Sequence, residues 1–374
     1  MESADVAIVG AGVIGLACGW RLAQRGLRVT VLERDEPGAG TSRVAAGMIA
    51  PIAEAYIGEQ ELLALGMRSA SAYPSFVEEL ASASGADPGY VRSGALLVAR
   101  DRDEAEALER EIAIRESLGL PVERLLPGRA RSLEPALAPS LRLALDVPDD
   151  HAVDPQKLTA ALAIAFKRAG GVLRAHTDVT SLVAQDGAIR GATLGDGTTL
   201  HADAVVVAAG VWSASIPGLP ADATVPVRPV KGQIMLLHDP AGPGMLTRIV
   251  RMGQGYVVPR GDGRYVVGGT IEERGFDRTV TAGAAFELLR DAIELVPGVS
   301  ELVIDELMAG LRPGTPDNGP IIGPGTLAGL HWATGHYRNG ILLAPVTAEL
   351  VVASVLGDAE PGAFSPDRFG GVRA

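Results

Sequence analysis

Three glycines near the start of the chain, Gly10, Gly12 and Gly15, lie between a β-branched run and an apolar helical pattern. The run predicts a strand over residues 5–9, and the helical pattern continues to about Arg25, where Gly26 ends it. Gly10 permits a tight turn, Gly12 lets the backbone approach a ligand, and Gly15 lets helix and strand pack closely. Because a helix that starts in such a turn presents free N–H groups, the segment predicts an anion-binding site.

A second strand is predicted over residues 27–32, directly before Glu33. An acid at the end of the second strand, about 20 residues after the glycines, can accept hydrogen bonds from a ribose. This order of elements predicts a dinucleotide-binding βαβ unit: a strand, the glycine turn, a helix, a second strand and then the acid. The chain is therefore expected to have an α/β fold.

The segment after this unit bears on which dinucleotide is bound. An NAD-binding unit usually continues into a further helix, whereas residues 38–51 are mostly small residues and hydroxyls. Such a stretch suits a backbone that wraps closely around an elongated cofactor. A surface loop is the alternative, although residues 45–52 are apolar and costly to expose to water.

The rest of the chain alternates between helical and β patterns. Helices are predicted over residues 59–83 with a kink near Pro74, 102–118, and 155–168 with Asp154 as the cap. Strands are predicted over residues 90–99, 172–175, 179–184, 189–194 and 204–208, the last ending in a small-residue turn at 209–212 where an open α/β sheet binds ligands.

The second half of the chain predicts a different kind of sheet. Residues 225–269 alternate strands with short glycine-containing turns, which is typical of an antiparallel sheet. A helix is predicted over residues 282–295 and a strand over 303–308, followed by a turn that carries Arg312. Residues 335–340 open a last helix that continues to about Leu356. The two kinds of sheet alternate along the chain, so we expect discontinuous domains.

Composition excludes several classes of protein. With 33 Lys and Arg against 45 Asp and Glu, the net charge of −12 argues against a nucleic-acid binder, which needs a concentrated basic face. The single cysteine, Cys18, excludes disulfide frameworks and cysteine-based metal sites, and the histidines show no metal-binding spacing. Residues 6–20 lack the basic start of a signal peptide, and glycines and prolines break the uncharged stretch 204–221. We expect a cytoplasmic protein without a membrane segment or metal, whose mature chain begins here.

Three stretches, residues 46–51 with Glu54, 309–315 and 335–345, carry a resemblance to a known family. Together with the glycine motif they resemble the flavin-dependent amine and amino-acid oxidases, the family of D-amino-acid oxidase, sarcosine oxidase and glycine oxidase, and the glycine oxidases in particular. The resemblance implies a Rossmann-like FAD-binding domain over residues 1–85, 148–220 and 310–360. A second, antiparallel-sheet α+β substrate domain would comprise residues 86–147 and 221–309. FAD would be bound noncovalently, because the cysteine to which sarcosine oxidases attach flavin is absent.

The resemblance also implies which residues contact FAD. Glu33 and Arg34 are expected at the adenosine and Val179 at the adenine, while residues 336–340, preceding a helix, would stabilise negative charge on the reduced flavin. A glycine-rich cap without a ligand is the alternative. The expected set is Gly10, Gly12, Val13, Ile14, Gly15, Glu33, Arg34, Thr41, Ser42, Ala46, Gly47, Met48, Val179, Gly210, His336, Tyr337, Arg338, Asn339, Gly340, Ile341 and Leu342.

On the substrate side the resemblance implies catalytic roles for Arg312, Tyr256 and Arg338. A planar guanidinium suits bidentate capture of a carboxylate, so Arg312 is expected to hold the substrate carboxylate, with Tyr256 helping to position it. A surface arginine and a packing tyrosine are the alternatives. Arg338 is expected as a second substrate-side arginine, or as the partner of a flavin carbonyl or an acid. For Lys231 a structural role is expected, with oxygen activation as the alternative.

The implied function is oxidation of glycine or a related small amino acid to a 2-oxo acid, ammonia or an amine, and hydrogen peroxide, with thiamine biosynthesis as the pathway supplied. The partners would be the amino acid and molecular oxygen, and a homo-oligomer is left open. Because Ala50, Gln254 and Ile271 are uncharged and leave room on the amine side, sarcosine or a longer N-alkylglycine is an alternative substrate. A D-amino-acid dehydrogenase with a non-oxygen acceptor, or a non-catalytic flavoprotein, would carry the same flavin motifs.

Overall fold

The computed structural model describes residues 3–253, 255–358 and 362–370. The helices in these residues are α1 Val13–Gln24, α2 Gln60–Ser84, α3 Arg102–Ser117, α4 Pro127–Leu133, α5 Pro155–Arg168, α6 Ala282–Leu295 and α7 Ala344–Leu356. The strands are β1 Ser3–Val9, β2 Val29–Leu32, β3 Met48–Ile49, β4 Tyr90–Val91, β5 Ala95–Ala99, β6 Glu123–Leu125, β7 Leu143–Val147, β8 His151–Val153, β9 Val172–Arg174, β10 Val179–Gln185, β11 Ala188–Leu194, β12 Thr199–Val207, β13 Arg228–His238, β14 Ile249–Met252, β15 Gly255–Pro259, β16 Arg264–Gly268, β17 Val303–Gly314, β18 Ile321–Pro324 and β19 Leu330–Thr334.

The first sheet has the order β10-β11-β12-β1-β2-β9, with β19 beside β12 and β18 beside β19. The pairs β12–β1, β1–β2, β2–β9 and β12–β19 are parallel. Helices α1, α5 and α7 share one hydrophobic core with this sheet, in which Trp20, Phe166 and Val351 are fully buried. The glycine turn therefore lies where β1 ends and α1 begins, at the carboxyl edge where parallel sheets bind ligands.

The second sheet has the order β17-β13-β16-β15-β14-β5-β7-β6. Its neighbouring strands are antiparallel except β14 and β5, which are parallel. The antiparallel sheet predicted for residues 225–269 is thus confirmed and is extended at one side by strands from residues 95–147. Two-residue strands β3 and β4 pair with β8 in a small third sheet. Within the described residues no helix is long and apolar enough to span a membrane.

Local patterns predict several elements closely. Helix α6 has the predicted bounds, and Asp154 caps α5 by accepting hydrogen bonds from the backbone N–H groups of Gln156 and Lys157, at 2.9 and 3.3 Å. The strand predicted over residues 90–99 is wrong as a single element, because β4 and β5 pair with different sheets.

Two further predicted elements differ in ways that affect the site. Strand β17 continues to Gly314 because β13 supplies a hydrogen-bonding partner along its whole length, so Arg312 lies inside a strand rather than on a turn. The predicted domain boundary at residue 310 also falls inside β17, and the domain division stays a prediction. Helix α7 begins only at Ala344, so residues 335–340 form a separate turn before it.

Candidate active site

The glycine turn needs its glycines for steric reasons. Gly10 has φ +104, and a Cβ atom there would lie 2.6 Å from the carbonyl oxygen of Ala208. A Cβ atom at Gly15 would lie 2.0 Å from the carbonyl oxygen of Gly10, which is the close packing predicted for this residue. Gly12 is the N-cap of α1 and provides no side-chain cap, so the first turn of the helix keeps N–H groups available to a ligand.

A cavity of about 590 Å³ opens at this turn and is lined by residues of both large sheets. Its volume lies within the range of small-molecule sites. The predicted site residues that line it are Gly10, Gly12, Val13, Ile14, Glu33, Arg34, Thr41, Ser42, Ala46, Gly47, Met48, Val179, Gly210, Tyr256, Arg312, His336, Tyr337, Arg338, Gly340 and Ile341. The fold therefore brings residues from the two ends of the sequence together around one cavity.

Three predicted cofactor residues, Gly15, Asn339 and Leu342, do not line this cavity. Gly15 lies beneath Gly10, Asn339 is a buried residue of the turn at 335–340, and Leu342 is buried just after that turn. The carbonyl oxygen of Leu342 accepts a hydrogen bond from the hydroxyl of Ser69 at 2.6 Å. In the structure these three residues pack against the backbone that borders the cavity.

The residues expected to leave room for the substrate amine lie in different places. Ile271 lines the cavity and is 54% exposed. Ala50 is buried in the core of the second sheet and does not line the cavity, so this part of the expectation is wrong. Gln254 lies outside the described residues.

The segment at 38–51 is anchored to two other elements beside the cavity rather than being a surface loop. The Thr41 hydroxyl donates to the carbonyl oxygen of Leu311 at 2.6 Å, and the Ser42 hydroxyl accepts from the N–H of Val13 at 3.0 Å. Ile49 is fully buried. The segment thus connects the N-terminus of α1 with strand β17.

Glu33 and Arg34 lie at the end of β2 and line the cavity, as expected for contacts to an adenosine. The Glu33 carboxylate accepts from the N–H groups of Ala11 at 2.8 Å and Asp35 at 3.0 Å, which fixes its orientation at the cavity. The Arg34 guanidinium stacks on Trp212, 3.9 Å from the ring centre. Trp212 also lines the cavity, and sequence reasoning missed this contact because a single aromatic residue carries no signal for stacking.

The turn at residues 335–340 presents backbone donors to the cavity. Within the described residues, the amides of Arg338 and Gly340 have no hydrogen-bond acceptor, and both residues line the cavity. Since α7 starts at Ala344, backbone donors of the turn, these two amides among them, face the cavity in place of the first turn of that helix. His336 is buried beside Thr347, its Nε2 atom 2.9 Å from the hydroxyl, and burial lowers the pKa of His336 to about 3. The imidazole is therefore neutral.

Arg312 lies on β17 opposite Val230 of β13 and faces the cavity. Its Nη1 atom donates to the carbonyl oxygens of Thr270 at 2.9 Å and Lys231 at 3.4 Å. It forms no ion pair with any acid in the described part of the chain. A half-buried guanidinium held by two carbonyls and facing a cavity can bind an anion there.

Tyr256 on β15 lies next to Arg312. A Cβ atom at Gly269 would lie 2.9 Å from the Tyr256 hydroxyl and 3.3 Å from the Nη2 atom of Arg312, so the two donors converge beside a position that glycine leaves open. Burial raises the pKa of the Tyr256 phenol, which therefore stays a neutral hydrogen-bond donor at neutral pH. The structure thus brings together two of the three predicted substrate-side residues, Arg312 and Tyr256.

Arg338 is paired with an acid, one of the alternatives predicted for it. Its Nη2 atom donates to Glu59, whose other oxygen accepts from Asn318 at 3.0 Å, and its guanidinium lies 4.4 Å from the centre of the Tyr56 ring. Glu59, Asn318 and Tyr56 also line the cavity. Sequence reasoning missed them, since no local pattern indicates contacts between residues so far apart in the chain.

Glu54 also lines the cavity, on a loop that is held by the buried side chains of Asp150 and Arg251. Asp150 accepts from the N–H groups of Ile52 at 3.3 Å and Ala53 at 2.6 Å, and burial raises its pKa to about 7. Arg251, another residue that sequence reasoning missed, donates to the carbonyl oxygen of Ala53 at 2.9 Å and lies 3.5 Å from Glu54.

These features fit an elongated, anionic cofactor such as FAD. Glycines let the backbone approach at one end, and unpaired amides and a cation face the cavity at the other.

Lys231 does not line the cavity, and its ammonium group is paired with Asp277 at 2.6 Å, as the structural role predicts.

Comparison with known proteins supports the same cofactor. A family model described as FAD-dependent oxidoreductase (DAO) matches residues 5–354. The chain is 37% identical to glycine oxidase of Geobacillus kaustophilus over 93% of this chain and 91% of that protein. The crystal structure of glycine oxidase from Geobacillus kaustophilus matches with a TM-score of 0.91 and 36% identity, covering 100% of both chains.

Two further relatives extend the comparison. The bifunctional protein ThiO/ThiG of Synechocystis is 37% identical over 98% of this chain but only 54% of its own length. The crystal structure of iminodiacetate oxidase from Chelativorans sp. BNC1 matches with a TM-score of 0.86 and 33% identity, covering 96% of this chain and 98% of that one. With the glycine turn, the two sheets and the family match in agreement, the chain belongs to the FAD-dependent oxidoreductases of the DAO family, and FAD is its cofactor.

Proposed function

We propose that the chain oxidises glycine, or a closely related small amino acid, with molecular oxygen. The observation that carries the proposal is the convergence of the Arg312 guanidinium and the Tyr256 hydroxyl beside Gly269. Two donors on one side of a cavity suit the two oxygens of a carboxylate. The similarity to glycine oxidase of Geobacillus kaustophilus supports the same substrate class.

The remaining predicted residues would hold FAD. We propose that the N-terminus of α1 binds the pyrophosphate and that Glu33 and Arg34 contact the adenosine. The amides of Arg338 and Gly340 would stabilise negative charge on the flavin ring. Bound FAD supplies the two-electron acceptor for the hydride that leaves the substrate Cα. The main contribution of the chain is to fix the carboxylate so that the Cα–H bond is aligned.

The net reaction balances with water and oxygen. Glycine, O₂ and water give glyoxylate, ammonia and hydrogen peroxide: the C–N bond is oxidised to an imine, water replaces the nitrogen, and oxygen is reduced. If the amine enters neutral, this step needs no side-chain base. In thiamine biosynthesis such an imine would supply thiazole formation, and the similarity to ThiO/ThiG supports that role.

An N-substituted glycine is a second candidate. Tyr56 and Ile271 line the cavity and are 45% and 54% exposed, so an apolar surface is available to a substituent. The similarity to an iminodiacetate oxidase supports this class, since iminodiacetate is itself an N-carboxymethyl glycine. One methylene contact discriminates by only about 1–3 kcal/mol, so one cavity can accept several such substrates.

The test compares catalytic efficiency for glycine, sarcosine, longer N-alkylglycines and D-alanine, with hydrogen peroxide measured under air. Arg312→Ala should lower kcat/KM for glycine by at least about 100-fold while FAD stays bound, because a charge-assisted contact is lost. Arg68→Ala, which removes an exposed pair with Glu349, is the control. Anaerobic flavin bleaching without peroxide under air would indicate a dehydrogenase. An unchanged kcat/KM in Arg312→Ala, or a tenfold preference for D-alanine, would contradict the proposal.

We propose two discontinuous domains, noncovalent FAD, a cytoplasmic location and no binding to nucleic acid or membranes. Flavin released into the supernatant on acid precipitation supports noncovalent binding, and flavin retained in the precipitate contradicts it.

A further inference from the structure

Behind Arg312 lies a group of polar residues that does not touch the cavity. Lys231 and Gln233 of β13 are each only 1% exposed. The Lys231 ammonium lies 2.6 Å from Asp277 and 3.9 Å from Glu272. A buried cation is costly unless it is paired, so it will hold its acidic partner firmly in place.

The acidic partners belong to one segment, residues 270–281. Backbone hydrogen bonds of 2.9 Å in both directions join Lys231 to Glu272. The Gln233 side chain donates to Glu272 at 2.7 Å and accepts from the N–H of Thr281 at 2.9 Å. Three points of the segment are thus attached to β13: Glu272 near the start of the segment, Asp277, and Thr281 at the end of the segment.

This segment carries one of the two carbonyls that hold Arg312. The Thr270 carbonyl accepts from Nη1 of Arg312, and the Lys231 carbonyl accepts from the same atom and from the N–H of Glu272. A shift of the segment would therefore move the Thr270 carbonyl, one of the two acceptors that orient the guanidinium. It would also move Ile271, which lines the cavity between Thr270 and Glu272.

We propose that Lys231 and Asp277 are positioning residues for carboxylate binding. Their ion pair fixes segment 270–281 against β13, and the segment fixes Nη1 of Arg312, so that the remaining donors face the substrate. The inference rests on the proposed role of Arg312. It assigns to the buried lysine an effect on substrate affinity that a purely structural residue would lack.

The test measures substrate affinity separately from turnover. The variants are Lys231→Met, Asp277→Asn and the double variant, each assayed as holoenzyme for glycine kcat and KM. The dissociation constant of glycolate, a carboxylate without the amine, is measured from the flavin absorbance. Glu79→Gln is the matched control, since Arg21–Glu79 is also a 2.6 Å pair between a largely buried cation and a half-exposed acid, but lies between α1 and α2.

In Asp277→Asn, the glycine KM and the glycolate constant should rise together by at least about threefold, with kcat changed by less than about twofold. In Lys231→Met the rise should be about tenfold, and the double variant should be no worse than Lys231→Met, because both remove one interaction. Values within twofold of wild type, or a similar rise in Glu79→Gln, would overturn the proposal. If Lys231→Met does not fold, Asp277→Asn decides, since the acid is partly exposed. Glycolate binding that weakens in a protein that does not oxidise glycine would support this inference while contradicting the proposed function.

Discussion

Gly232 lies directly against the guanidinium of Arg312. A Cβ atom at Gly232 would come within 2.2 Å of Nη1 and 2.4 Å of Nη2. The two residues lie on paired strands, with Gly232 opposite Gly310 of β17. Because Gly232 has no side chain, the guanidinium of Arg312 can lie across β13 at this position and reach the cavity.

Gly232→Ala should displace the guanidinium and raise the glycine KM by at least about tenfold, with a smaller effect on kcat. The reason is steric, since the new methyl group would overlap a guanidinium that two carbonyls hold in place. Gly128→Ala is the control, because nothing lies within 4 Å of a Cβ atom there. Steady-state kinetics with glycine decide; an unchanged KM in Gly232→Ala would mean that the guanidinium can move without loss.

Gly15→Ala should prevent stable FAD binding. The new methyl group would meet the carbonyl oxygen of Gly10 at 2.0 Å, which forces α1 away from the glycine turn. Gly283→Ala is the control, because no atom lies within 4 Å of a Cβ atom there. Replacing this helical glycine should raise the free energy of unfolding by about 0.4–1 kcal/mol. The measurements are the ratio of FAD to protein after purification and the thermal melting temperature. Full FAD content in Gly15→Ala would contradict the packing argument.

Glu59→Gln should strengthen the binding of carboxylates by several-fold. The substitution removes the negative charge that pairs with Arg338 and leaves this guanidinium uncompensated beside the cavity. Glu349→Gln, which neutralises the exposed pair with Arg68, should have no effect. Titration with glycolate provides the dissociation constants. Equal constants in wild type and Glu59→Gln would show that Arg338 does not act on the substrate.

Asp150 should make stability depend on pH. Burial raises its pKa to about 7 from an ordinary value of 3.8. Between these values the folded protein keeps a proton that the unfolded chain releases, so the contribution of this group to the free energy of unfolding falls as pH rises from about 4 to about 7. Asparagine does not titrate, so the melting temperature of Asp150→Asn relative to wild type should increase over this range.

The control for Asp150 is its exposed neighbour Asp149. Asp149→Asn leaves the buried carboxyl of Asp150 in place and should not reproduce the pH-dependent gain of Asp150→Asn. A constant difference in melting temperature between Asp150→Asn and wild type would mean that the buried carboxyl does not hold its proton in the folded state.

Much of the fold could be predicted from short stretches of sequence. The βαβ unit, the Asp154 cap and helix α6 each depend on residues that are near one another in the sequence, so their patterns are visible without the tertiary structure. The bounds of β17 could not be read in this way. Residues 309–314 form a strand because β13 pairs with them, and that partner lies far earlier in the chain.

The same distinction applies to the site. By itself the sequence determined the glycine turn, the resemblance to the flavin-dependent oxidases and the residue types expected around FAD and a carboxylate. Only the tertiary structure decided that Arg338 pairs with Glu59 and that Lys231 pairs with Asp277 behind Arg312. Local patterns reflect backbone geometry, which neighbouring residues set, whereas an ion pair depends on which distant strands and loops the packed core brings together.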